Sequence, residues 1–161
     1  MAIQTYDYSV LYKVFSTIIK DTQGLTMIEL GGAGEIPAAP FVVFDIISPR
    51  IDIYEHYDVT ERVPFEAVVS FTHYALKKLQ ALNLSENLRN QFVTDSSLTQ
   101  LRQADIVIAE VMPTNIRSIQ DPTADKFMVG FDMRLRLRDP FVDEEMPQID
   151  SVDVEENRRN K

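Results

Sequence analysis

The chain has no cysteine and no tryptophan, and it has only two histidines in 161 residues. Without cysteine it can form no disulfide, no thiolate nucleophile and no Cys-ligated zinc site. It also has no run of about 18 consecutive apolar residues, and it does not begin with a charged, then apolar, then small-residue leader. The sequence therefore predicts neither a membrane span nor a secretory signal, and we expect a protein that is made and used under cytosol-like conditions.

Residue patterns that carry enzymatic chemistry are missing as well. The two histidines, His56 and His73, are 17 residues apart and show no HExxH or other metal-ligand spacing. The glycine-rich residues 31–40, GGAGEIPAAP, contain no Gly-Lys-Ser/Thr and lead into a predicted strand, so they would not cradle a phosphate. No serine lies in a GxSxG motif. We therefore predict no enzymatic activity, no cofactor and no metal, and we interpret His73 as an ordinary residue near a strand end.

The acidic residues are concentrated at the C-terminus. From residue 139 onward there are eight acidic residues against three basic ones, a net charge of -5, which leaves -4 of the total -9 for the rest of the chain. So acidic a segment, with few apolar residues, cannot offset its ordering entropy alone. We predict one domain over residues 1–139 and an acidic extension over residues 140–161 that is disordered or becomes ordered on a neighbouring subunit. The mildly acidic body argues against tight wrapping by nucleic acid.

The spacing of apolar residues predicts the order of the elements. An apolar stripe at helical spacing over residues 8–19 indicates an amphipathic helix, with Asp7 as its N-cap and Gly24 as its end. In residues 74–92 the apolar side rotates near Asn83, which predicts a kinked helix whose second part is capped by Ser85. The other predicted elements are strands at 25–30, 41–48, 63–73, 105–112 and 126–138, a protruding hairpin at 49–62, a helix at 95–103 capped by Asp95 or Ser96, and a loop at 113–125.

Together these elements predict an α+β domain. Its sheet should have about five strands and be mainly antiparallel, with strand 41–48 beside strand 63–73 and with the helices packed on one face. An extended hairpin and a C-terminal arm complete the predicted architecture.

Residues 126–138, KFMVGFDMRLRLR, form the most strongly alternating segment of the chain. Phenylalanine, valine, methionine and leucine occupy every second position from Phe127 to Leu137, which predicts a half-buried strand. At ~3.3 Å per residue, these 13 residues would extend roughly 43 Å, more than a small domain needs internally. We therefore expect part of the strand to serve a contact outside the subunit.

The polar side of this strand carries three regularly spaced arginines, which allow three interpretations. They can be a solvated outer face that protects a sheet edge. They can be a nucleic-acid site, although that side lacks interleaved aromatic residues and the acidic extension would repel phosphate. They can also face acidic groups of a neighbouring subunit, which suits the length of the strand. In the last case the candidate subunit interface comprises Arg134, Arg136, Arg138, Asp143, Glu144 and Glu145.

The succession of motifs over residues 8–139 resembles the tailed-bacteriophage neck or tail-terminator family. The resemblance is carried by the N-terminal helix, the strand PAAPFVVFDI, the polar hairpin, the strand and helix EAVVSFTHYALKKL, and the ending NIRSIQDPTADKFMVGFDMRLRLR. Its most specific part is the ending, in which N-x-R-S precedes a short acidic loop and a long alternating strand. Residues 126–129, where the family pattern is richer in arginine, and the acidic extension depart from that pattern.

The resemblance implies a structural protein of the virion, assembled in the host cytoplasm. Members form rings, commonly of six subunits, that end the tail tube, join it to the head-completion or connector proteins, and leave a lumen through which DNA passes. Two other classes stay open from the residues alone, a small cytosolic binding module and a nucleic-acid-binding protein. Candidate contacts with other virion proteins, in the hairpin and in the loop before the long strand, are Ile53, Tyr54, His56, Tyr57, Asn115 and Arg117.

Overall fold

The computed structural model of the protein describes residues 5–53, 62–118 and 125–142. These residues form the predicted α+β architecture of helices packed on a mostly antiparallel sheet. The elements of this part of the chain are α1 (Ser9–Gln23), β1 (Met27–Glu29), β2 (Phe41–Asp52), β3 (Pro64–Ala75), α2 (Lys78–Phe92), α3 (Asp95–Gln103), β4 (Val107–Val111), β5 (Asn115–Ile116) and β6 (Phe127–Arg138).

The strands form one sheet in the order β1-β2-β3-β6-β4, and β5 also pairs with β6. The pairing of β1 with β2 is parallel, whereas the other pairs are antiparallel, including the predicted pair of β2 with β3. Every residue of β6 pairs with one of β3, and β4 and β5 occupy its other side. The prediction that β6 is longer than the domain needs is therefore wrong, because its whole length is used inside the subunit.

The core lies between one face of the sheet and the helices. The predicted alternation in β6 is confirmed, since five of the six apolar positions are buried, and only Phe127, at the start of the strand, is 37% exposed. Four phenylalanine rings from α1, β3, α2 and β6 meet in the centre, with centroid distances between 4.9 and 6.1 Å. These rings are Phe15, Phe71, Phe92 and Phe131.

Helix α2 differs from the prediction. It runs without a break from Lys78 to Phe92, and residues 74–75, predicted to be helical, belong to β3. Ser85 therefore lies in the middle of the helix, where it is fully buried, and it caps nothing. The buried residues of α2 form one continuous stripe, which consists of Ala81, Ser85, Leu88 and Phe92. The predicted kink arose because the polar Ser85 interrupts this stripe in the sequence while Leu79 is exposed.

The helix ends follow the predicted chemistry with shifts of one or two residues. The carboxylate of Asp7 accepts a hydrogen bond from the Ser9 N–H at 3.0 Å, although the capping position itself is Tyr8. Gly24 ends α1 in the left-handed conformation, with φ at 67°, as predicted. The cap of α3 is Thr94, whose hydroxyl accepts from a backbone N–H, and not Asp95 or Ser96.

Two predicted connections also differ. Strand β2 continues to Asp52, so the start of the predicted hairpin is strand, and residues 54–61 lie outside the described ranges. The predicted loop at 113–125 contains β5, which raises the described sheet from the predicted five strands to six. Beyond β6 the chain stays attached to the body, because Asp139 N–H donates to the Val63 carbonyl at 3.0 Å and Arg62 N–H to the Phe141 carbonyl at 2.9 Å. The division into a domain and an extension stays a prediction.

His73 is fully buried on the core face of β3, because that strand extends two residues past it. The Gln23 side-chain amide donates to the Leu84 carbonyl at 2.8 Å, which leaves its oxygen 2.9 Å from His73 Nε2. His73 Nε2 must therefore carry the proton. Burial lowers the pKa of His73 to about 4.

None of the helices in the described ranges has the length and apolar character that crossing a membrane demands.

Candidate interaction surfaces

Much of the face of the sheet opposite the core is polar, and we call it the outer face. It is formed by every second residue of β3 and β6, together with residues of β2, β4 and β5 that pair beside them. Although it lies away from the core, Ser70 and Thr72 on this face are buried. The cause is a side chain from the segment after β5.

That side chain is Arg117, whose guanidinium lies across the outer face. It donates to Asp132 Oδ1 at 2.6 Å, to Thr72 Oγ1 at 2.9 Å, to Asn115 Oδ1 at 2.7 Å and to the Ser70 hydroxyl. Its neutral and charged partners thus come from β3, β5 and β6. Hydrogen bonds between ionised groups are about twice as strong as neutral ones, so this cluster joins three strands firmly. We call it the Arg117 cluster.

The other polar residue of the N-x-R-S pattern, Ser118, extends this attachment. Its hydroxyl accepts from the Met128 N–H at 2.6 Å, and the Arg117 N–H donates to the Met128 carbonyl at 2.8 Å. The segment that follows β5 is therefore attached to β6 by both backbone and side-chain hydrogen bonds. The sequence pattern thus fixes residues 117 and 118 on the sheet.

Gly130 allows β6 to approach β3 closely beside the Arg117 cluster. A Cβ at this position would overlap the Phe71 carbonyl oxygen and would lie 2.9 Å from Thr72 Cα and 3.0 Å from Thr72 Oγ1. The same Thr72 Oγ1 accepts from Arg117. A side chain at residue 130 would therefore push the two strands apart and crowd the hydroxyl that Arg117 uses.

The three arginines of β6 have different surroundings. Arg136 Nη2 lies 3.0 Å from Glu66 Oε1 on β3, and Arg134 Nη1 lies 3.7 Å from the other oxygen of the same carboxylate. Arg138 forms no ion pair with any residue in the described ranges. It lines a cavity of about 380 Å³ together with Arg102, Asp105 and Val107, at the end of the sheet where β4 begins.

The end of β6 is also attached to β2. Arg50 Nη1 donates to Asp139 Oδ2 at 2.6 Å and Arg50 Nε to Asp52 Oδ1 at 2.9 Å, while the guanidinium carbon lies 4.8 Å from the centre of the Phe65 ring. These carboxylates, Asp139 first, raise the pKa of Arg50 above its ordinary value. Arg50 therefore joins β2, β3 and the residue that follows β6.

A cavity of about 540 Å³ is an open groove beside the edge strand β1. Its floor includes the stacked rings of Phe41 and Tyr74, with centroids 5.0 Å apart, and Lys126 Nζ lies 5.7 Å from the Phe41 ring centre. Leu30 and Ile36 beside it are 61% and 69% exposed. Sequence reasoning missed this groove, although two apolar residues flanking a glycine-rich loop were a signal of it.

Within the described ranges, no group of three or more histidine or acidic side chains is arranged to hold a metal ion.

A protein-family model described as phage neck terminator protein matches residues 9–159. The chain belongs to this family. Membership makes it a structural protein of the phage neck, and thus of the virion, and it confirms the family expected from the sequence. No curated protein matches the chain.

The family match continues beyond residue 139 into the acidic extension, which was interpreted above as a departure from the pattern. Some of the interaction residues predicted for this neck terminator protein lie within the described ranges. Asn115 and Arg117 lie together on the outer face and contact each other. Ile53 follows the end of β2 and is partly exposed. The other predicted residues lie outside the described ranges, namely Tyr54, His56, Tyr57, Asp143, Glu144 and Glu145.

The two predicted partner surfaces lie at opposite ends of the sheet. Asp52, next to Ile53, pairs with Phe65 of β3, which in turn pairs with Leu137 near the end of β6. Asn115 pairs with Gly130, near the start of β6. Seven residues of β6 separate these positions, which corresponds to roughly 23 Å. One small contact could not cover both surfaces.

Proposed function

We propose that this neck terminator protein forms a closed ring, commonly of six subunits, that ends the tail tube and joins it to the head-completion or connector proteins. It assembles in the host cytoplasm, and DNA passes through the opening of the ring. Family membership over residues 9–159 is the observation that carries this proposal. The net charge of -9 per subunit also suits a channel that passes DNA without holding it.

The separation of the two predicted partner surfaces suggests how one subunit meets two neighbours along the tail axis. In this arrangement the end of β2 with Ile53, followed by Tyr54, His56 and Tyr57, contacts one of the two partners, the tail tube protein or the connector. The loop that begins at Asn115 contacts the other. Because Arg117 is held by partners inside the subunit, its part is to hold the start of that loop on the sheet.

The arginine side of β6 is the proposed seam between subunits, with Asp143, Glu144 and Glu145 of the neighbour as acidic candidates. Its members contribute unequally, since Glu66 already pairs with Arg134 and Arg136. Arg138 has no such pair among the described residues and is the member most available to a neighbour. Exposed ion pairs contribute only ~0 to 1 kcal/mol each, so these residues fix the register of the seam more than they drive assembly.

Pairing with carboxylates also bears on the nucleic-acid alternative. Glu66 lies beside two of the three arginines of β6, and Asp132 beside Arg117. Each such pair reduces the positive charge that a phosphate backbone would meet. We therefore propose passage of DNA through the ring and no specific binding of it.

Growth of tail tubes tests this function directly. Purified tail tube protein is allowed to polymerise, the neck terminator protein is added, and tube lengths and tube ends are measured by electron microscopy. We expect growth to stop and a ring to cover one end of each tube. Tubes that continue to lengthen at saturating protein, with bare ends, would exclude the proposed role.

A further inference from the structure

We propose that the groove beside β1 of one subunit receives the β4 edge of the next subunit, with Glu29 and Glu35 facing Arg102 and Arg138. This proposal rests on the ring proposed above and assigns Glu29 and Glu35, in place of the acidic residues of the extension, as the partners of Arg138. Two observations on opposite edges of the sheet lead to it.

The groove beside β1 is apolar with an acidic border. Ile28, Val43 and the stacked aromatic rings line it, and Leu30 and Ile36 leave most of their surface to solvent. Glu29 and Glu35 are the charged residues that line it. Neither forms an ion pair with another residue in the part of the chain described.

The beginning of the β4 edge has the complementary character, whereas Glu110, further along β4, is exposed and acidic. Val107, its first residue, is 54% exposed, and it lines a cavity with Arg102, Arg136 and Arg138 against the single acid Asp105. Glu66 engages Arg136, whereas Arg102 and Arg138 form no ion pair with described residues. An exposed apolar residue that shares a cavity with unpaired arginines thus matches an apolar groove bordered by unpaired glutamates.

The positions of these two surfaces favour a contact between different edges of two copies. Strand β1 is at one edge of the sheet and β4 at the other. A subunit cannot bring its own two edges together, and a two-fold dimer would place like charges against each other. A head-to-tail contact satisfies both edges and, when its rotation closes, produces a ring.

Charge reversal on each edge tests the pairing. We expect Glu29→Lys with Glu35→Lys, and separately Arg102→Glu with Arg138→Glu, each to raise the concentration needed for assembly by roughly tenfold or more, because like charges then face each other. An equimolar mixture of the two variants, and a single chain that carries all four changes, should assemble like the unaltered protein. The chain with Asp21→Lys and Glu86→Lys, which has the same charge change as the glutamate variant but on α1 and α2, is the matched control for that variant.

Cysteine cross-linking gives a geometric test, because the chain has no cysteine of its own. Chains with Glu35→Cys alone or Arg138→Cys alone should not cross-link under oxidation, whereas a mixture of the two should give disulfide-linked dimers. Cross-linking of either variant by itself would overturn the head-to-tail pairing.

The outcomes separate this inference from the proposed function. If the unaltered protein forms rings but mixing the charge-reversed variants does not restore them, the edge pairing is wrong and the ring stands. If Asp143→Lys, Glu144→Lys and Glu145→Lys abolish assembly, and Arg102→Glu with Arg138→Glu weakens it while Glu29→Lys with Glu35→Lys assembles normally, the acidic extension occupies the arginine edge in place of the groove. If the unaltered protein forms no ring at any concentration, the proposed function fails first.

Discussion

Two polar side chains, Arg117 and His73, each join parts of the chain that are distant in sequence. Arg117 contacts residues 45 and 47 positions away on β3, and His73 contacts Gln23, 50 positions away on α1. Each is confined by partners that other elements supply, so neither environment can be derived from local sequence. The contribution of each side chain to stability can nevertheless be measured by substitution.

We expect Arg117→Gln to lower the free energy of unfolding by roughly 2–3 kcal/mol, because it removes charge-assisted hydrogen bonds and leaves the Asp132 carboxylate without its cation. Denaturant unfolding measures this change. Arg136→Gln is the matched control, and it should cost less than ~1 kcal/mol because the Arg136 side chain is half exposed and Arg134 remains beside Glu66. Adding Asp132→Asn to Arg117→Gln should recover part of the loss, and equal costs for the two arginine substitutions would contradict the cluster.

We expect His73 to make stability fall as the pH is lowered from about 6.5 towards about 4. In this window the unfolded chain binds a proton at His73 that the folded chain, with its pKa lowered to about 4 by burial, does not bind. The resulting slope is up to ~1.4 kcal/mol per pH unit. His73→Gln, which cannot titrate, should be less sensitive over the same range. Parallel pH profiles of unfolding for the two proteins would show that His73 does not contribute.

At the scale of elements, α2 shows why a local pattern was misinterpreted. Its buried stripe contains the polar Ser85, whereas the apolar Leu79 faces solvent. The Ser85 hydroxyl is buried without a hydrogen-bond partner among the described residues. A pattern based on polarity alone therefore placed a break where the packed structure has a continuous helix.

Ser85→Ala should stabilise the protein by about 0.5–2 kcal/mol. Alanine has a higher helix propensity than serine, and the substitution removes a buried hydroxyl that lacks a partner. Thermal unfolding should show a raised midpoint. A lowered midpoint would mean that the hydroxyl has a partner that stabilises the helix, and Ser16→Ala, on the less buried surface of α1, gives the reference for propensity.

The close approach of β3 and β6 at Gly130 predicts a strong position effect. Gly130→Ala should destabilise by about 1–3 kcal/mol, because the added Cβ would overlap the β3 backbone. Gly34→Ala, where no atom lies within 4 Å of the added Cβ, is the control and should change stability little. Similar melting temperatures for both variants would show that the strands move apart without cost.

The elements differ in how well the sequence predicted them, for physical reasons. The alternation of β6 and the stripe of α1 identified both elements, because each places one side against a core and the other towards solvent. The role of the length of β6 could not be predicted, because it depends on three other strands pairing along it. The groove beside β1 and the Arg117 cluster also depend on long-range pairing, although the N-x-R-S pattern did indicate that the segment was special.

At the scale of the whole molecule, the subunit has two edges of opposite charge and a sheet whose ends carry different candidate partner surfaces. In the proposed ring, such a subunit would have a direction around the ring and a direction along the tail axis. This polarity agrees with the proposed position between tail tube and head, in which the two sides meet different proteins. The chain belongs to a phage neck terminator family, so the phage neck is where this polarity would be used.

The mass of the full-length chain, measured by native mass spectrometry over a wide concentration range, tests the central claim most directly. A closed ring predicts one dominant assembly at a fixed whole-number multiple of the subunit mass, six in the form we propose, with no larger species as concentration rises. A mass that stays at one subunit at every concentration, or a continuous series of growing multimers, would contradict a closed ring.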